Sequence, residues 1–426
     1  MVDVAKVRMF GQNIGTFVWD DSYRVARFEY DNDFVGKGIE PSPIMMPVQQ
    51  GRIYSFGSLN WDTFNGLPGM LADSLPDTYG RALFDQWLTL TGRTTSNPVE
   101  SLCFLGQRCM GALEFEPATG PSSDVNMKFE IDSLIDVARE ALSNKKDFGV
   151  NLDVDRKAAI AEILRLGTSA GGQRAKAIIA YNKETGEVRS GQISAPEGFD
   201  YYLIKLDGVT AEAGFKETEN FGRLEYSFSE LVKNCGIDMT ECSLIEENGR
   251  AHFLTKRFDR ENGRKLHMQT LCGMAHYDFR LKNGHSYEQA FNVMRRLRLP
   301  YSQAQEMFRR IVFNVVVRNQ DDHTKNISFL MDSSGQWRLS PAYDMGFAYN
   351  PSGAWTATHQ MSINGKFDNI TRADLLSLAN ANNIKNASEI IDQVCETTAG
   401  WPELAKNCGV PQKMIDGIVP HMLLSI

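Results

Sequence analysis

The chain has 426 residues, too many for one ordinary core, so two or three packed subdomains are expected. Lys+Arg 45 against Asp+Glu 53 leave a net charge of -8, which makes the chain by itself a poor DNA binder, because phosphate contacts need clustered positive charge. Seven scattered cysteines without a CxxC pair give no zinc or disulfide framework, and no apolar run approaches the roughly 20 residues of a membrane-spanning helix, so a cytoplasmic protein with no membrane partner is expected.

Met1 to Lys6 lacks the basic-then-apolar order of a signal peptide. Residues 1 to about 60 alternate apolar and polar side chains, as in Arg24-Val25-Ala26-Arg27-Phe28-Glu29-Tyr30, which is the period of strands. Helical periodicity appears at Gly80 to Leu88. The Pro/Gly/Ser stretch Ala118 to Asp124 reads as a connector, so residues 1–118 are expected to form a first module. Ile131 to Asn144 and Asp153 to Leu166 read as helices, the second stopped by Gly167. A glycine-rich stretch follows, Gly167-Thr168-Ser169-Ala170-Gly171-Gly172-Gln173-Arg174-Ala175-Lys176. Its glycines let backbone N–H groups approach phosphate, and its two basic residues add positive charge. No Gly-Lys-Ser/Thr follows, so it is not a Walker A loop, and an ordinary helix-to-strand turn accounts for it equally well.

Ala177 to Tyr181 and Tyr201 to Leu206 read as strands. Lys205, on the second, stands where a phosphate-pairing strand lysine would, or it is a plain surface lysine. Arg223 to Cys235 reads as a helix ended by Gly236, and its Glu225 is a candidate partner for Lys205. Ala251 to Arg257 reads as a strand, closing a second piece, 119–258. The third piece, 259–426, is mainly helical: Ser286 to Leu297, Ser302 to Arg318, and helices from about Arg372. One hairpin interrupts it, Ile327 to Met331 and Trp337 to Leu339 about the turn Asp332 to Gly335.

The most informative segment, Arg318-Asn319-Gln320-Asp321-Asp322-His323-Thr324-Lys325-Asn326, lies between an apolar helix and that hairpin; Asp344 follows the hairpin. Phosphoryl transfer asks little covalent help of a protein. It needs a carboxylate to orient the attacking hydroxyl and take its proton, and oxygen ligands to hold Mg²⁺ across the phosphates. Asp321, Asn326 five positions on, and Asp344 beyond a hairpin supply that set, with the Asp-to-Asn spacing of protein-kinase catalytic loops. The His-Arg before the aspartate and the Asp-Phe-Gly triplet are absent; Asn319-Gln320 and Tyr343-Asp344-Met345-Gly346 stand there instead. Each residue alone reads as a turn cap or a surface group, and Asp322 is an adjacent alternative for the base.

Taken together these motifs resemble the HipA family of Ser/Thr kinases, in order along most of the chain. The likeness begins with Gly66-Leu67-Pro68-Gly69 and Leu71 to Asp77, and continues through Gly106 to Leu113, Ser169 to Gly172 and Tyr202 to Lys205. Lys256 to Arg260, Asp321 to Asn326 and Pro341 to Asp344 complete it. The resemblance implies an α+β, two-lobed kinase-like fold: a β-rich N-terminal lobe with an extra N-terminal β module, and an all-helical C-terminal lobe. It implies ATP and Mg²⁺ as cofactors, Asp321 as catalytic base, and Asn326 and Asp344 as Mg²⁺ ligands. Ala170, Gly171, Gly172, Gln173, Arg174 and Ala175 fall on the family's phosphate loop, and Lys205 on its nucleotide lysine. Lys256, Arg257 and Phe258 fall on the linker whose backbone holds adenine, and His323, Lys325 and Tyr343 match positions lining the nucleotide. Ser169 or Thr168 would be the autophosphorylated hydroxyl, whose phosphate would add about two negative charges where ATP phosphates bind. The implied partners are a HipB-like helix-turn-helix antitoxin, through which DNA is met indirectly, and a protein substrate, for which an aminoacyl-tRNA synthetase is the family precedent. The competing readings are a small-molecule phosphotransferase and a catalytically idle co-repressor scaffold. The other histidines, including His359, and the segment His359 to Gly365 receive no role.

Overall fold

A computed structural model describes residues 2–76, 78–90, 92–93, 96–120, 131, 174–191, 195–210, 220–261 and 263–426. They fall into two compact units. The first comprises Met1–Ile39, Val48–Gly222 and Ser243–His267; the second comprises Glu40–Pro47, Arg223–Cys242 and Met268–Ile426. Among the described residues no helix is long and apolar enough to cross a membrane.

The first unit is β-rich. Strands β1 (Val4–Met9), β2 (Gln12–Asp20), β3 (Val25–Tyr30), β4 (Ile53–Tyr54) and β5 (Leu113–Glu116) form an antiparallel sheet ordered β4-β3-β2-β1-β5. The period of two in the sequence becomes the two faces of this sheet: Ala5, Val7 and Met9 of β1 are buried, while Val4 and Lys6 are exposed. Phe10 and Gly11 take φ of 52° and 77°, the left-handed pair that lets a two-residue turn follow the twist of β1 and β2. The helix Pro98–Leu105 packs on β1 and β5 with every residue buried. Asn97 starts it, its side chain accepting from the Glu100 N–H at 2.9 Å, and Pro98 takes the first helical position, where a missing N–H costs nothing.

A second sheet holds β6 (Arg174–Tyr181), β7 (Val188–Ser190), β8 (Asp200–Thr210), β9 (Cys242–Glu247) and β10 (Arg250–Lys256), ordered β7-β6-β8-β10-β9. Tyr202, Ile204 and Leu206 of β8 are buried, and Lys205 on the other face stands between Lys176 of β6 and Phe253 of β10. Of the helices expected at Ile131 to Asn144 and Asp153 to Leu166, all but Ile131 lies outside the described residues. Cys103 and Cys109 are free, and burial pushes each thiol up to about 12, which keeps them protonated and unreactive.

An ion cluster ties the first unit together. Asp259, fully buried, accepts from Arg257 Nε at 2.8 Å, from Arg257 Nη2 at 2.7 Å, from Arg260 Nη1 at 2.9 Å and from the Gly111 N–H at 2.6 Å. Burial alone would raise this carboxyl, but the two guanidinium charges and the hydrogen bonds prevail and hold it well below the ordinary carboxylate range. Asp259→Ala leaves buried guanidinium charge without its counter-ion and is expected to cost about 3–5 kcal/mol, read as a lowered urea midpoint. Because the folded state depresses this acid, its stabilisation is complete above the unfolded value of about pH 3.9 and disappears as the pH falls through the folded one. The gap between wild type and variant therefore closes only in strong acid.

The second unit is mainly helical: α1 (Phe221–Asn234), which begins at the junction, α2 (Tyr287–Arg296), α3 (Tyr301–Val316), α4 (Arg372–Ala381), α5 (Ala387–Ala399), α6 (Trp401–Asn407) and α7 (Gln412–Ile418). The expected hairpin forms from β12 (Ser328–Met331) and β13 (Trp337–Leu339), in the register Phe329↔Leu339. Asp332 Oδ1 builds its turn, accepting from the N–H groups of Ser334 and Gln336 and from the Ser334 hydroxyl, while Gly335 takes φ of 86°. A third strand, β11 (His267–Thr270), completes a sheet ordered β11-β12-β13 that the sequence reading does not contain.

The division differs from the three consecutive pieces expected. Helix α1, assigned by sequence to the middle piece, belongs mostly to the second unit because Phe228 stacks on fully buried Trp401 with ring centroids 4.7 Å apart, and Trp401 Nε1 donates to Ser227 Oγ. Residues 40–47 also belong there: Trp337 Nε1 donates to Glu40 O at 3.2 Å and Arg296 Nη2 to Ile44 O at 3.3 Å.

Candidate active site

Helix α3 positions the site. Met307, Phe308, Ile311, Val312 and Val315 anchor it in the core. It ends in a Schellman motif, with the Asn319 N–H donating to Asn314 O at 2.8 Å and the Arg318 N–H to Val315 O at 3.2 Å. This motif favours glycine at its left-handed position, yet Arg318 occupies it at φ of 52°. The guanidinium lies 4.3 Å over the Tyr349 ring, a cation–π contact that offsets part of the strain. The turn carries the chain into the loop Asn319 to Asn326.

Within that loop the two adjacent aspartates have opposite environments. Asp322 is 3 % exposed and fully engaged. Its Oδ2 accepts from the Tyr287 hydroxyl at 2.7 Å and lies 2.8 Å from His359 Nδ1, and its Oδ1 accepts from the Gln360 N–H at 2.7 Å. Burial first, then the neighbouring Asp322 charge, push the Tyr287 phenol well above its ordinary value, so it remains a neutral donor. Asn314 Nδ2 donates to that phenol at 3.0 Å, and Asn319 Nδ2 to Asn314 Oδ1 at 2.9 Å, linking the clasp to helix α3. Asp321 keeps 45 % of its side chain exposed. Its Oδ1 accepts from Trp355 Nε1 at 2.6 Å, and His323 Nε2 stands 3.9 Å away. Burial raises this carboxyl and the nearby Asp344 and Asp322 charges add to the rise, against the opposing His323 and the indole N–H. A partly exposed carboxylate with raised basicity suits proton abstraction; a buried one with both oxygens engaged does not. The two adjacent aspartates thus stand in different environments, one half-exposed and one buried.

Asn326 Nδ2 donates to Asp321 O at 2.8 Å, which commits the amide nitrogen and leaves Oδ1 as the atom able to ligate a cation. The Asn326 N–H donates to His323 O at 2.9 Å, closing the short 3-10 turn Thr324–Asn326. Beyond the hairpin, Asp344 is exposed and takes φ of 51°, a left-handed conformation that aspartate tolerates better than most residues. A small cavity of about 20 Å³, open to solvent, is lined by Asn319, Asp322, His323, Asn326, Tyr343 and Asp344, among others. Among the described residues no group of three or more His, Cys, Asp or Glu side chains could cage a metal. One carboxylate and one amide oxygen on one cavity instead fit Mg²⁺, which is held by one or two protein oxygens and completed by phosphate and water.

The remaining expected residues divide between the units. The His323 ring lies edge-on to Phe279, with centroids 5.2 Å apart, and Lys325 Nζ sits 4.9 Å over the same ring. The Tyr343 hydroxyl donates to Lys325 O at 2.6 Å and shares a hydrogen bond with the Ser328 hydroxyl, so it fastens the loop to the hairpin. In the first unit, Lys205 Nζ lies 5.8 Å from the Phe253 ring centroid, and Lys256 Nζ pairs with Asp200 at 2.7 Å. Phe258 is half-buried. The Arg257 N–H donates to Tyr201 O at 2.8 Å, and its guanidinium is buried on Asp259. Glu225 lies in the second unit and Lys205 in the first. Thr168, Ser169, Ala170, Gly171, Gly172 and Gln173 lie outside the described residues; Arg174 and Ala175 open β6.

Sequence reasoning misses Tyr287, Trp355, His359 and Gln360. His359, ordinary by sequence, is 3 % exposed and pairs with Asp322. The signal that could have found these residues is the donor demand of two adjacent carboxylates beside a tyrosine, a tryptophan and a histidine, which no fixed spacing advertises.

Comparison with known proteins adds to this geometry. The HipA N-terminal domain family matches residues 5–116, and the HipA-like C-terminal domain family matches residues 168–401, more than half of the chain. A protein of Haemophilus influenzae named "putative kinase" is 29% identical over 136 residues, 28% of this chain and 39% of that protein. A Sinorhizobium fredii protein named "putative kinase Y4dM" is 27% identical over 219 residues, 46% of this chain and 52% of that protein. The chain thus spans about half or less of the length of the curated relatives it matches. The fold is shared with HipA of Shewanella oneidensis MR-1, solved with HipB and operator DNA, at a TM-score of 0.69 and 18% identity, covering 98% of this chain and 94% of that one.

Proposed function

This chain belongs to the HipA family, and on that premise we propose that it is a cytoplasmic Ser/Thr protein kinase that uses ATP and Mg²⁺ and serves as the toxin of a toxin–antitoxin module. One observation carries the reading: the loop of Asp321 is joined to Asn326 by a hydrogen bond, and Asn326 and Asp344 line one cavity. In this reading Asp321 orients a substrate Ser or Thr hydroxyl and takes its proton as that oxygen bonds to the γ-phosphorus and ADP departs. Asn326 Oδ1 and the Asp344 carboxylate would hold Mg²⁺, which would supply positive charge against the phosphates. His323, Lys325 and Tyr343 border the nucleotide, and Lys205 with the stretch Ala170 to Ala175 meets its phosphates. Phosphorylation of Thr168 or Ser169 in that stretch would place negative charge where ATP phosphates bind and switch the enzyme off.

A HipB-like helix-turn-helix antitoxin is the proposed partner. The solved HipA relative in complex with HipB and operator DNA supports it, and so does the net charge of -8, which leaves DNA affinity to a basic partner. The acceptor is a protein hydroxyl, with an aminoacyl-tRNA synthetase the first to test. The deciding experiment offers γ-³²P-labelled ATP and Mg²⁺ with a bacterial proteome in one tube and a metabolite panel in another. Labelled protein bands are expected, and chelation with EDTA is expected to abolish them until Mg²⁺ is restored. A labelled metabolite with no labelled protein would turn the reading to a small-molecule phosphotransferase. No transfer in either tube would leave only a co-repressor scaffold.

A further inference from the structure

The segment 355–360 is laced across the loop 319–322. Gln320, with its amide nitrogen turned toward the carbonyls, reaches Thr356 O at 2.9 Å and Ala357 O at 3.2 Å. Asp322 holds His359 and the Gln360 N–H. Gln360 Nε2 donates to Trp355 O at 2.6 Å and Thr358 O at 3.1 Å, so the backbone behind the indole is pinned. The indole then presents its one polar atom, a donor only, to Asp321 Oδ1 at 2.6 Å. Among the described residues the hydrogen bond to the Asp321 carboxylate falls on Oδ1, and His323 Nε2 stands 3.9 Å from that same oxygen, beyond hydrogen-bond reach. The carboxylate is thus fixed through that oxygen.

The geometry assigns Trp355 as a positioning residue: its indole N–H stops the Asp321 carboxylate from rotating, so that Oδ2 alone is held toward the substrate hydroxyl. The assignment rests on the reading of Asp321 as the base. A carboxylate free to turn about its last side-chain bond would offer either oxygen in many directions, and misplacing a reacting group by about 1 Å can cost on the order of 100-fold in rate. Nothing in the position of Trp355, 34 residues from Asp321 in sequence, hints at this role; the strap creates it.

The test is a cycle of four full-length proteins: wild type, Trp355→Phe, Asp321→Asn and the double variant. Phenylalanine keeps an aromatic ring and removes the N–H. Transfer from γ-³²P-labelled ATP to proteome protein is measured as kcat and as KM for ATP. Trp355→Phe is expected to lower kcat by about 10- to 100-fold in the wild-type background with KM for ATP unchanged, and to have almost no further effect in the Asp321→Asn background, because its action runs through the carboxylate. An equal loss in both backgrounds, a loss confined to KM, or a gain in rate overturns the assignment. A second readout is independent of activity. The emission of Trp355, taken as wild type minus Trp355→Phe, is expected to shift when Asp321→Asn is introduced into both; an unchanged difference spectrum overturns the contact itself. If the spectrum shifts while Asp321→Asn transfers phosphate at the wild-type rate, the contact stands and the role of Asp321 as base is what fails, taking the positioning role with it.

Discussion

Asp321→Asn is expected to lower turnover by roughly 10²–10⁴, the usual worth of a positioned general base, while leaving the protein folded. The side chain is 45 % exposed, so asparagine of the same size fits without a void. The charged acceptor of the Trp355 indole N–H becomes a neutral amide, and the group can no longer take a proton. The loss should appear in kcat, with KM for ATP nearly unchanged, because the interaction matters only as the hydroxyl proton is transferred. Expression of the variant is the cellular counterpart: growth arrest caused by the wild-type chain should vanish. A variant as toxic and as active as wild type would show that Asp321 takes no proton.

Asp322→Ala, one residue on, should give the second large effect, and it should be a loss of fold. This carboxylate is the acceptor for Tyr287, His359 and the Gln360 N–H, all in a buried setting. Alanine strands those donors, and the expected cost is about 3 kcal/mol or more. Urea unfolding is the measurement, with a fall in midpoint at an unchanged slope. Asp322→Asn, which keeps the volume and one acceptor oxygen, should be milder. Wild-type stability in the alanine variant would mean the clasp adds nothing to the fold. Neighbouring aspartates with the same chemistry are thus predicted to fail in different ways because one faces water and the other does not.

How much of this is legible in the sequence depends on distance along the chain. Asp321, Asn326, the hairpin and Asp344 are readable because a helix end, a short turn and a two-stranded ribbon are local devices whose spacing survives in one dimension. Lys205 is readable as a strand lysine for the same reason. Tyr287, Trp355 and His359 are not, because they reach the loop across 34 to 37 residues through side chains whose partners follow no period. The buried pairing of the Arg257 guanidinium with Asp259 two residues away is not legible, because neither charged residue advertises burial. The membership of residues 40–47 in the second unit has no local signature either: a tryptophan and an arginine hydrogen-bonded to carbonyls do not mark a sequence.

The contacts of Glu40 and Ile44 span 297 and 252 residues, and the Leu423 N–H donates to Val316 O on the helix that precedes the Asp321 loop. A chain leaving the ribosome therefore exposes residues 40–47 long before their partners exist. Closing such distant pairs is slow. The second unit therefore cannot close around residues 40–47 until Arg296 and Trp337 have been made.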